Sequence, residues 1–259
     1  MRVFLLGLCV LTACGPSEID YPDFSIDDQA IVSGFSFLTE ESQKLQNDPF
    51  ENPGYLWIET GEQLFTQTMN GTSCKDCHDN PAQSFSKAAL TYPKINSRTD
   101  QLVNLEGQIN ICRSDHQNRN PWTYESEELL SITSYLRNFS NGTPIDYTIS
   151  QELRPYFENG KAYFYTRRGQ FNLSCHQCHD LYWGTKMRGD TVSQGHINGF
   201  PAYRNDWQSL GSAHRRFEAC DIGVRAEPNE LGSNIYMELE VYLMARGNGL
   251  ISETPAIRR

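Results

Sequence analysis

Two stretches of the chain with apolar residues on one helical face, and another with signals for the ends of a helix, predict three helices. Thr39 can cap the first helix, and Pro49 ends it because a proline disfavours helical backbone in the residue before it. The third stretch places Leu129, Ile132 and Leu136 on one side, as in an amphipathic helix. The three helices are predicted at 40–48, 58–70 and about 125–139.

A second pattern is a repeat that relates the two halves of the chain. The run SCKDCHD at 73–79 returns as SCHQCHD at 174–180, and each half has one later cysteine, Cys112 or Cys220. Aligning these cysteines also aligns two upstream positions, Pro93 with Pro201 and Leu102 with Leu210. The chain therefore reads as a tandem duplication with a boundary near residues 141–150.

Each repeated run contains two cysteines separated by two residues and followed by a histidine. Thiols at this spacing can both form thioether bonds to one haem while the adjoining imidazole reaches its iron. The predicted thioether residues are Cys74, Cys77, Cys175 and Cys178, and the predicted proximal ligands are His78 and His179. The alternative is a structural zinc site built from the four cysteines. That alternative leaves both histidines without a role and requires two distant pairs to meet.

The motifs and the repeat together predict the fold class. We expect a mainly α protein with an N-terminal extension and two tandem cytochrome c-like domains, at 36–145 and 146–259. Each domain would enclose one covalently bound haem c. Only 38% of the 259 residues are hydrophobic, which is low for a chain with two cores. Buried porphyrin would supply the missing apolar surface.

The N-terminal extension reads as an export signal followed by a tether. Residues 1–13 carry Arg2 and an apolar run that is too short to span a bilayer. The run LTAC at 11–14 resembles a lipobox, in which Cys14 becomes lipidated. Residues 14–35 then form a flexible, acidic tether. We therefore expect a periplasmic protein that contacts a membrane only through an N-terminal lipid.

The two lone cysteines are candidates for the second axial ligand of each iron. The sixth ligand of a c-type haem usually arrives from a later part of the chain as Met or His, but Cys112 and Cys220 hold the equivalent late positions here. Rival ligands lack a counterpart at the aligned position; they are His116, Met187, His196 and His214. A disulfide between the two lone cysteines is the other interpretation.

The formal charge of the chain is −10, which argues against nucleic acid as a partner because phosphate binding depends on Lys and Arg. An anionic substrate needs a local positive patch. Arg215 and Arg216 precede Cys220, whereas Gln108 holds the aligned position before Cys112. Arg216 and Cys220 share a helix face, so the guanidinium of Arg216 would lower the pKa of the Cys220 thiol. The same guanidinium could donate two parallel hydrogen bonds to an oxyanion. The alternative is a solvated basic cluster unrelated to the iron.

The loop between His179 and Cys220 is rich in glycine, with Gly184, Gly189, Gly195 and Gly199. The corresponding loop of the first half is shorter. Glycines at this density fit a close approach of backbone to the cofactor or a mobile cover. A plain surface loop is the alternative.

Three features of the sequence resemble one family. The paired CxxCH units, the run RFEAC at 216–220 and the run NPGYLW at 52–57 resemble SoxA, the dihaem subunit of the SoxAX cytochrome of bacterial sulfur oxidation. The resemblance covers about residues 33–250. It implies an L-cysteine S-thiosulfotransferase that works with a monohaem partner, SoxX. This enzyme joins thiosulfate oxidatively to a cysteine of the carrier protein SoxYZ.

The resemblance also implies roles for individual residues. Cys220 would be both a ligand of the second iron and the active-site thiol, carried as a persulfide, while Arg216 would hold the substrate. Cys112 would ligate the first iron, and Arg246 and Arg215 are further candidates for lining the site. Two rival functions stay open: a thiosulfate dehydrogenase that forms tetrathionate without a carrier, and a dihaem electron-transfer cytochrome with no substrate. A distal Met or His would be expected for the latter.

Overall fold

The computed structural model describes residues 31–68 and 70–258. The predicted export signal at 1–13, the lipidation site Cys14 and most of the predicted tether lie outside the described residues. None of the helices in the described part of the chain has the length and apolar character that a membrane crossing requires.

The protein is mainly α-helical, with short strands between the helices, so the predicted fold class is correct at this level. The helices are α1 (Glu40–Asn47), α2 (Gly54–Thr66), α3 (Pro81–Phe85), α4 (Leu105–Gln117), α5 (Glu127–Asn138), α6 (Arg154–Tyr165), α7 (Ala213–Gly223) and α8 (Asn234–Arg246). The strands are β1 (Lys94–Asn96), β2 (Gln101–Val103), β3 (Lys186–Met187), β4 (Asp190–Thr191), β5 (Ala202–Arg204), β6 (Ser209–Gly211) and β7 (Ala256–Arg258).

Two of the three predicted helices have the expected bounds. Thr39 caps α1, which ends before Pro49. Helix α5 buries the predicted apolar face, which includes Leu129. Helix α2 begins and ends earlier than predicted, because the Asn52 side chain already accepts the backbone N–H of Gly54 at 2.9 Å and so starts the helix there.

Each half of the chain packs two helices against each other at a glycine. Helix α2 packs on α5 at Gly61, where an added Cβ would lie 2.2 Å from the backbone oxygen of Ser131. Helix α6 packs on α8 at Gly160, where an added Cβ would lie 2.0 Å from the backbone oxygen of Glu238. Neither position has room for a methyl group, so glycine is what lets the helices approach so closely.

Two short β-hairpins precede the helices that carry the lone cysteines. Strands β1 and β2 lead into α4, and β5 and β6 lead into α7. Asn104 caps α4 and Ser212 caps α7, each through a side-chain oxygen that accepts a backbone N–H of the first turn. The sequence did not predict these strands, because three residues give too short an alternating pattern. The two halves thus present Cys112 and Cys220 from the same local frame.

The core consists of two large clusters and a smaller third one. One large cluster contains Phe65 and the buried face of α5, and the other contains Phe164 and Tyr242. The third cluster joins Leu130 of α5 to Leu210 of β6 and so packs the two halves together. Strand β7 pairs in parallel with β5, so the C-terminal segment extends the second hairpin into a three-stranded sheet.

Candidate functional site

Both CxxCH runs are closed by a side-chain hydrogen bond at the same position, although the first run is a turn and the second continues into a π-helix at Gln177–Leu181. In the first run, the Asp76 carboxylate accepts the backbone N–H of Ser73 at 2.7 Å. In the second run, the Gln177 side chain accepts the backbone N–H of Ser174 at 2.9 Å. The side chain just before the second cysteine therefore closes the turn in each half, although its residue type differs. All four motif cysteines are free thiols, as thioether formation requires.

The imidazole of His179 is held in one tautomer. Its Nδ1 lies 2.7 Å from the carbonyl oxygen of Ser193, so Nδ1 carries the proton and donates. Gly195 packs against the same ring, since a Cβ there would lie 2.8 Å from Cγ of His179. This contact is a close approach of loop backbone, one of the alternatives for the glycine-rich loop. Nε2 is left as the acceptor nitrogen, which is how a ligating histidine is arranged, so His179 fits haem iron.

Asp180 ties the second motif to the last helix. Its carboxylate accepts from Nδ1 of His176 at 2.6 Å and pairs with Arg246 at 2.5 Å. The side chain of Arg246 is 0% exposed and also donates to the carbonyl oxygen of Gln194 at 3.1 Å. Arg246, which was expected to line the substrate site, thus lies inside the hydrogen-bond network of the CxxCH motif and holds the motif from α8.

Cys220 faces the second motif from α7. Its thiol lies within electrostatic range of His179, Cys175 and Cys178. Burial raises the pKa of Cys220, but the nearby guanidinium of Arg216 is the largest opposing influence, and the pKa is lowered to about 7. The predicted effect of the guanidinium on the thiol is therefore confirmed. The lowered pKa favours the thiolate form that an iron ligand or a sulfur nucleophile needs.

A buried carboxylate next to Cys220 fixes its helix. Asp221 accepts hydrogen bonds from the hydroxyl groups of Tyr163 at 2.6 Å and Tyr236 at 2.8 Å, and it pairs with Arg168 at 3.0 Å. These partners come from α6, from α8 and from the segment after α6. The turn that carries Cys220 is thus held from three sides. Sequence reasoning missed this network, because no local pattern links residues so far apart along the chain.

The two arginines of α7 have different surroundings. Arg215, the other candidate for lining the site, lies over the ring of Trp207 at 4.3 Å and braces the hairpin of β5 and β6. Arg216 instead lies close to Cys220 and to Arg204 of β5. Sequence reasoning missed Arg204, although the alignment of the two halves places it opposite a polar residue, Asn96 of β1. That alignment was the signal that could have found it.

The lone cysteine of the first half lies next to a neutral amide side chain. Nε2 of Gln108 donates to the Cys112 thiol at 3.5 Å, and Oε1 of Gln108 accepts from Asn96 at 3.0 Å. Burial raises the pKa of Cys74, and the nearby Cys112 adds to this rise, so the two thiols lie close together. Amides therefore stand at the two positions where the second half has Arg204 and Arg216, although Arg113 and Arg119 lie within electrostatic range of Cys74.

His78 is half-buried and packs against Phe85, with the ring centroids 4.9 Å apart. Burial lowers the pKa of His78, which favours the neutral imidazole that ligates metals. Cys112 also lies near Tyr92, whose pKa is raised to about 12 by burial and then by the cysteine. In the described part of the chain there is no hydrogen bond between Cys112 and His78. His78 and Cys112, the predicted ligands of the first iron, thus lie in the same half of the chain without a hydrogen bond between them.

The rival axial ligands have other surroundings. His214 is buried and hydrogen-bonded to Glu240 at 3.1 Å, while Met187 and His116 are exposed. His196 is buried, and burial lowers its pKa to about 3, with Arg246 and His179 adding to the effect. Cys220 differs from them in having its sulfur close to both thiols of the second CxxCH motif.

The geometry does not support zinc or a disulfide. Within residues 31–68 and 70–258, no three side chains of His, Cys, Asp or Glu come together in a way that could hold a metal ion, so the two CxxC pairs do not form a tetrahedral site. Cys112 and Cys220 are both free thiols. The residues fit thioether attachment and axial ligation of haem better than either alternative.

Comparison with known proteins finds relatives along most of the chain. The family model "SoxA/TsdA, cytochrome c domain" matches residues 60–145, and a cytochrome c domain implies covalently bound haem c. The L-cysteine S-thiosulfotransferase subunit SoxA of Pseudaminobacter salicylatoxidans is 38% identical over 88% of this chain and 81% of its own length. The same subunit of Paracoccus pantotrophus is 34% identical over 97% and 89%. The crystal structure of SoxXA from P. pantotrophus superposes with a TM-score of 0.85 at 33% identity, covering 88% of this chain and 87% of that one.

Proposed function

The chain belongs to the SoxA family, and from this premise we propose that it joins thiosulfate oxidatively to a cysteine of a SoxYZ-like carrier protein. Membership makes it a subunit of an L-cysteine S-thiosulfotransferase. The observation that carries the proposal is that Arg216 and Cys220 lie one helical turn apart on the same face of α7, next to the thiols of the second CxxCH motif. A thiol with a pKa of about 7 next to a guanidinium is suited to receive a sulfur anion and to form sulfur–sulfur bonds.

We assign two haem c groups to two tandem cytochrome c-like domains, at 36–145 and 146–259. The repeated helix pairs and hairpins support this division. The thioether residues would be Cys74 and Cys77 for the first haem and Cys175 and Cys178 for the second. His78 and Cys112 would hold the first iron, and His179 and Cys220 would hold the second. When bound, the haems accept electrons and pass them on.

Arg216 and Cys220 divide the work at the second site. The Arg216 guanidinium draws the thiosulfate dianion to the site, although the chain as a whole has a charge of −10, because it can donate two parallel hydrogen bonds to sulfonate oxygens. Cys220, carried as a persulfide anion, supplies the outer sulfur to which the terminal sulfur of thiosulfate bonds. Both sulfur atoms are anionic beforehand, so forming the bond releases two electrons.

Thiol exchange then transfers the product to the carrier. The carrier thiol loses its proton to solvent, and its thiolate attacks the sulfur that bears the sulfonate group. The bond between that sulfur and the persulfide breaks. The carrier leaves with the thiosulfonate group attached, and the persulfide anion on Cys220 is restored.

A monohaem partner of the SoxX type would take the electrons. The relative from P. pantotrophus is solved as a SoxXA complex, which supports a heterodimer. We also propose that the protein is exported to the periplasm by residues 1–13 and held at a membrane by a lipid on Cys14. Export would place the chain in the compartment where c-type haem is attached.

Arg216→Ala tests the proposed function. Loss of a charge-assisted contact to the substrate should lower thiosulfate-dependent turnover about 10- to 100-fold while haem content stays unchanged. Mass spectrometry of the carrier measures its modification, and absorbance of the partner cytochrome measures electron release. Thiosulfate kinetics equal to those of the wild type would remove Arg216 from the site.

The same assay separates the rival functions. Tetrathionate produced without any carrier would favour a thiosulfate dehydrogenase. Absence of turnover with thiosulfate, carrier and partner cytochrome all present would favour an electron-transfer protein without a substrate of its own.

A further inference from the structure

Arg204 ends β5, in the hairpin that leads into α7, the helix that carries Arg216 and Cys220. Its side chain is 9% exposed, and its Nε donates to Asp206 at 3.2 Å. Burial lowers the pKa of Arg204 and Arg216 lowers it further, while the Cys220 thiolate acts in the opposite direction. Arg204 therefore lies within electrostatic reach of both residues that the proposed mechanism uses.

The first half of the chain shows that the fold itself brings these two positions together. Asn96 ends β1 as Arg204 ends β5, and each is paired with the first residue of the following strand. Gln108 and Arg216 each stand one helical turn before the lone cysteine of their half. In the first half these positions touch, because Nδ2 of Asn96 donates to Oε1 of Gln108 at 3.0 Å.

The second half thus has two like charges where the first half has a pair of neutral amides. The two guanidinium groups repel each other in a region of low exposure. In the described part of the chain, Asp206 is the only ion-pair partner of Arg204, and its own side chain is 58% exposed. Arg216 has no ion pair within these residues. Apart from the sulfur of Cys220, Asp206 is the only anionic partner of this pair in the described part of the chain, so an anion that binds between the two cations would stabilise them.

We propose that Arg204 and Arg216 together form a receptor for the sulfonate end of thiosulfate. This inference rests on the proposed function and assigns a second substrate-binding residue to it. Two planar guanidinium groups can both donate hydrogen bonds to the oxygens of one sulfonate. Their two positive charges also balance the two negative charges of thiosulfate, whereas a monoanion would balance only one of them. With the sulfonate held by both arginines, the terminal sulfur of thiosulfate is free to meet the sulfur on Cys220.

Calorimetric titration of thiosulfate into the oxidised, haem-loaded, full-length protein without carrier tests the receptor directly. Arg204→Gln should raise the dissociation constant about 10- to 100-fold, because one charged fork is lost. Arg204→Lys keeps the charge but not the fork and should lie between wild type and Arg204→Gln. With carrier and partner cytochrome added, the KM for thiosulfate should rise by a larger factor than kcat falls.

Arg98→Gln is the matched control. Arg98 belongs to the first half, is 62% exposed and pairs with Asp115 at 3.2 Å, so its replacement removes the same charge from another part of the protein. This variant should bind thiosulfate as the wild type does. An equal loss of affinity in both glutamine variants would indicate a general charge effect and overturn the receptor.

An unchanged affinity of Arg204→Gln for thiosulfate would also contradict the proposed receptor, even if the melting temperature of this variant fell. Arg204 would then only brace the hairpin, through its position over the ring of Trp207 at 5.0 Å. The receptor and the proposed function can fail separately. If the wild type binds thiosulfate and Arg204→Gln does not, but the carrier is never modified, the function is wrong and the receptor stands. If the carrier is modified equally well by both proteins with the same KM, the receptor is wrong and the function stands.

Discussion

Replacing Gly195 with alanine should displace the imidazole of His179. Gly195 has a φ of +77°, and a Cβ at this position would lie 2.8 Å from Cγ and 2.9 Å from Nδ1 of the ring. These separations are shorter than van der Waals contact allows, so the ring or the loop must move. Either movement disturbs the 2.7 Å hydrogen bond from Nδ1 to Ser193 that fixes the tautomer.

Two costs contribute to the expected loss of stability. An L-residue in left-handed backbone costs about 1–2 kcal/mol, and a methyl group forced into a packed contact costs about 1–3 kcal/mol. The free energy of unfolding of Gly195→Ala should therefore fall by about 2–5 kcal/mol. Gly184→Ala separates the two costs, because Gly184 has a φ of +81° with nothing within 4 Å of an added Cβ. That variant should lose only about 1–2 kcal/mol.

Denaturant unfolding of the two haem-loaded variants, followed by haem absorbance and circular dichroism, measures both free energies. Electron paramagnetic resonance of the ferric protein reports the axial ligands of the second haem, and its signal should change in Gly195→Ala alone. Equal destabilisation of the two variants, with the spectrum of Gly195→Ala unchanged, would refute the claim that glycine is needed for loop backbone to approach His179.

Two further predictions concern packing and pH. Gly160→Ala puts a methyl group 2.0 Å from the backbone oxygen of Glu238 and should lower the free energy of unfolding by about 3 kcal/mol, as measured with denaturant. Gly223→Ala is the control, because open space surrounds its Cβ, and it should raise the free energy of unfolding by up to about 1 kcal/mol. Similar effects in both variants would contradict the claim that α6 and α8 pack closely because of Gly160. Burial, and next the Glu240 carboxylate, raises the pKa of Glu106 from 4.5 to about 7. The folded protein therefore holds this proton more tightly than the unfolded chain does. The stability that this preference provides is complete below pH 4.5 and is lost as the pH rises through 7. Glu106→Gln should remove this loss, so unfolding free energies of variant and wild type should diverge by up to about 3 kcal/mol between pH 4 and pH 8, in favour of the variant at the higher pH. Parallel pH curves would show that Glu106 does not hold a proton in the folded state.

Local spacing explains why much of the candidate site could be predicted from the sequence. A CxxCH run brings its own thiols and imidazole together within one turn, and Arg216 stands one helical turn before Cys220. The lowered pKa of Cys220 is a consequence of that spacing that the structure confirms. The relatives confirm the family that these motifs resembled.

Contacts between distant segments explain what the sequence could not predict. Arg246 and Arg215 looked like equal candidates for the site, but the first is bonded to Asp180 and the second lies over Trp207. The hairpin that carries Arg204 is too short to leave an alternating pattern. The partners of Asp221 come from three separate segments.

The sequence by itself determined the repeat, the covalent attachment motifs and the pairing of a thiol with a guanidinium, because each of these depends on neighbours within a turn or two of chain. Only the tertiary structure decided which arginines reach Cys220 and how the His179 ring is held. Those contacts depend on how closely the helices pack at Gly61 and Gly160 and on where the β5 hairpin lies. Packing of this kind joins residues far apart along the chain, so no local pattern specifies it.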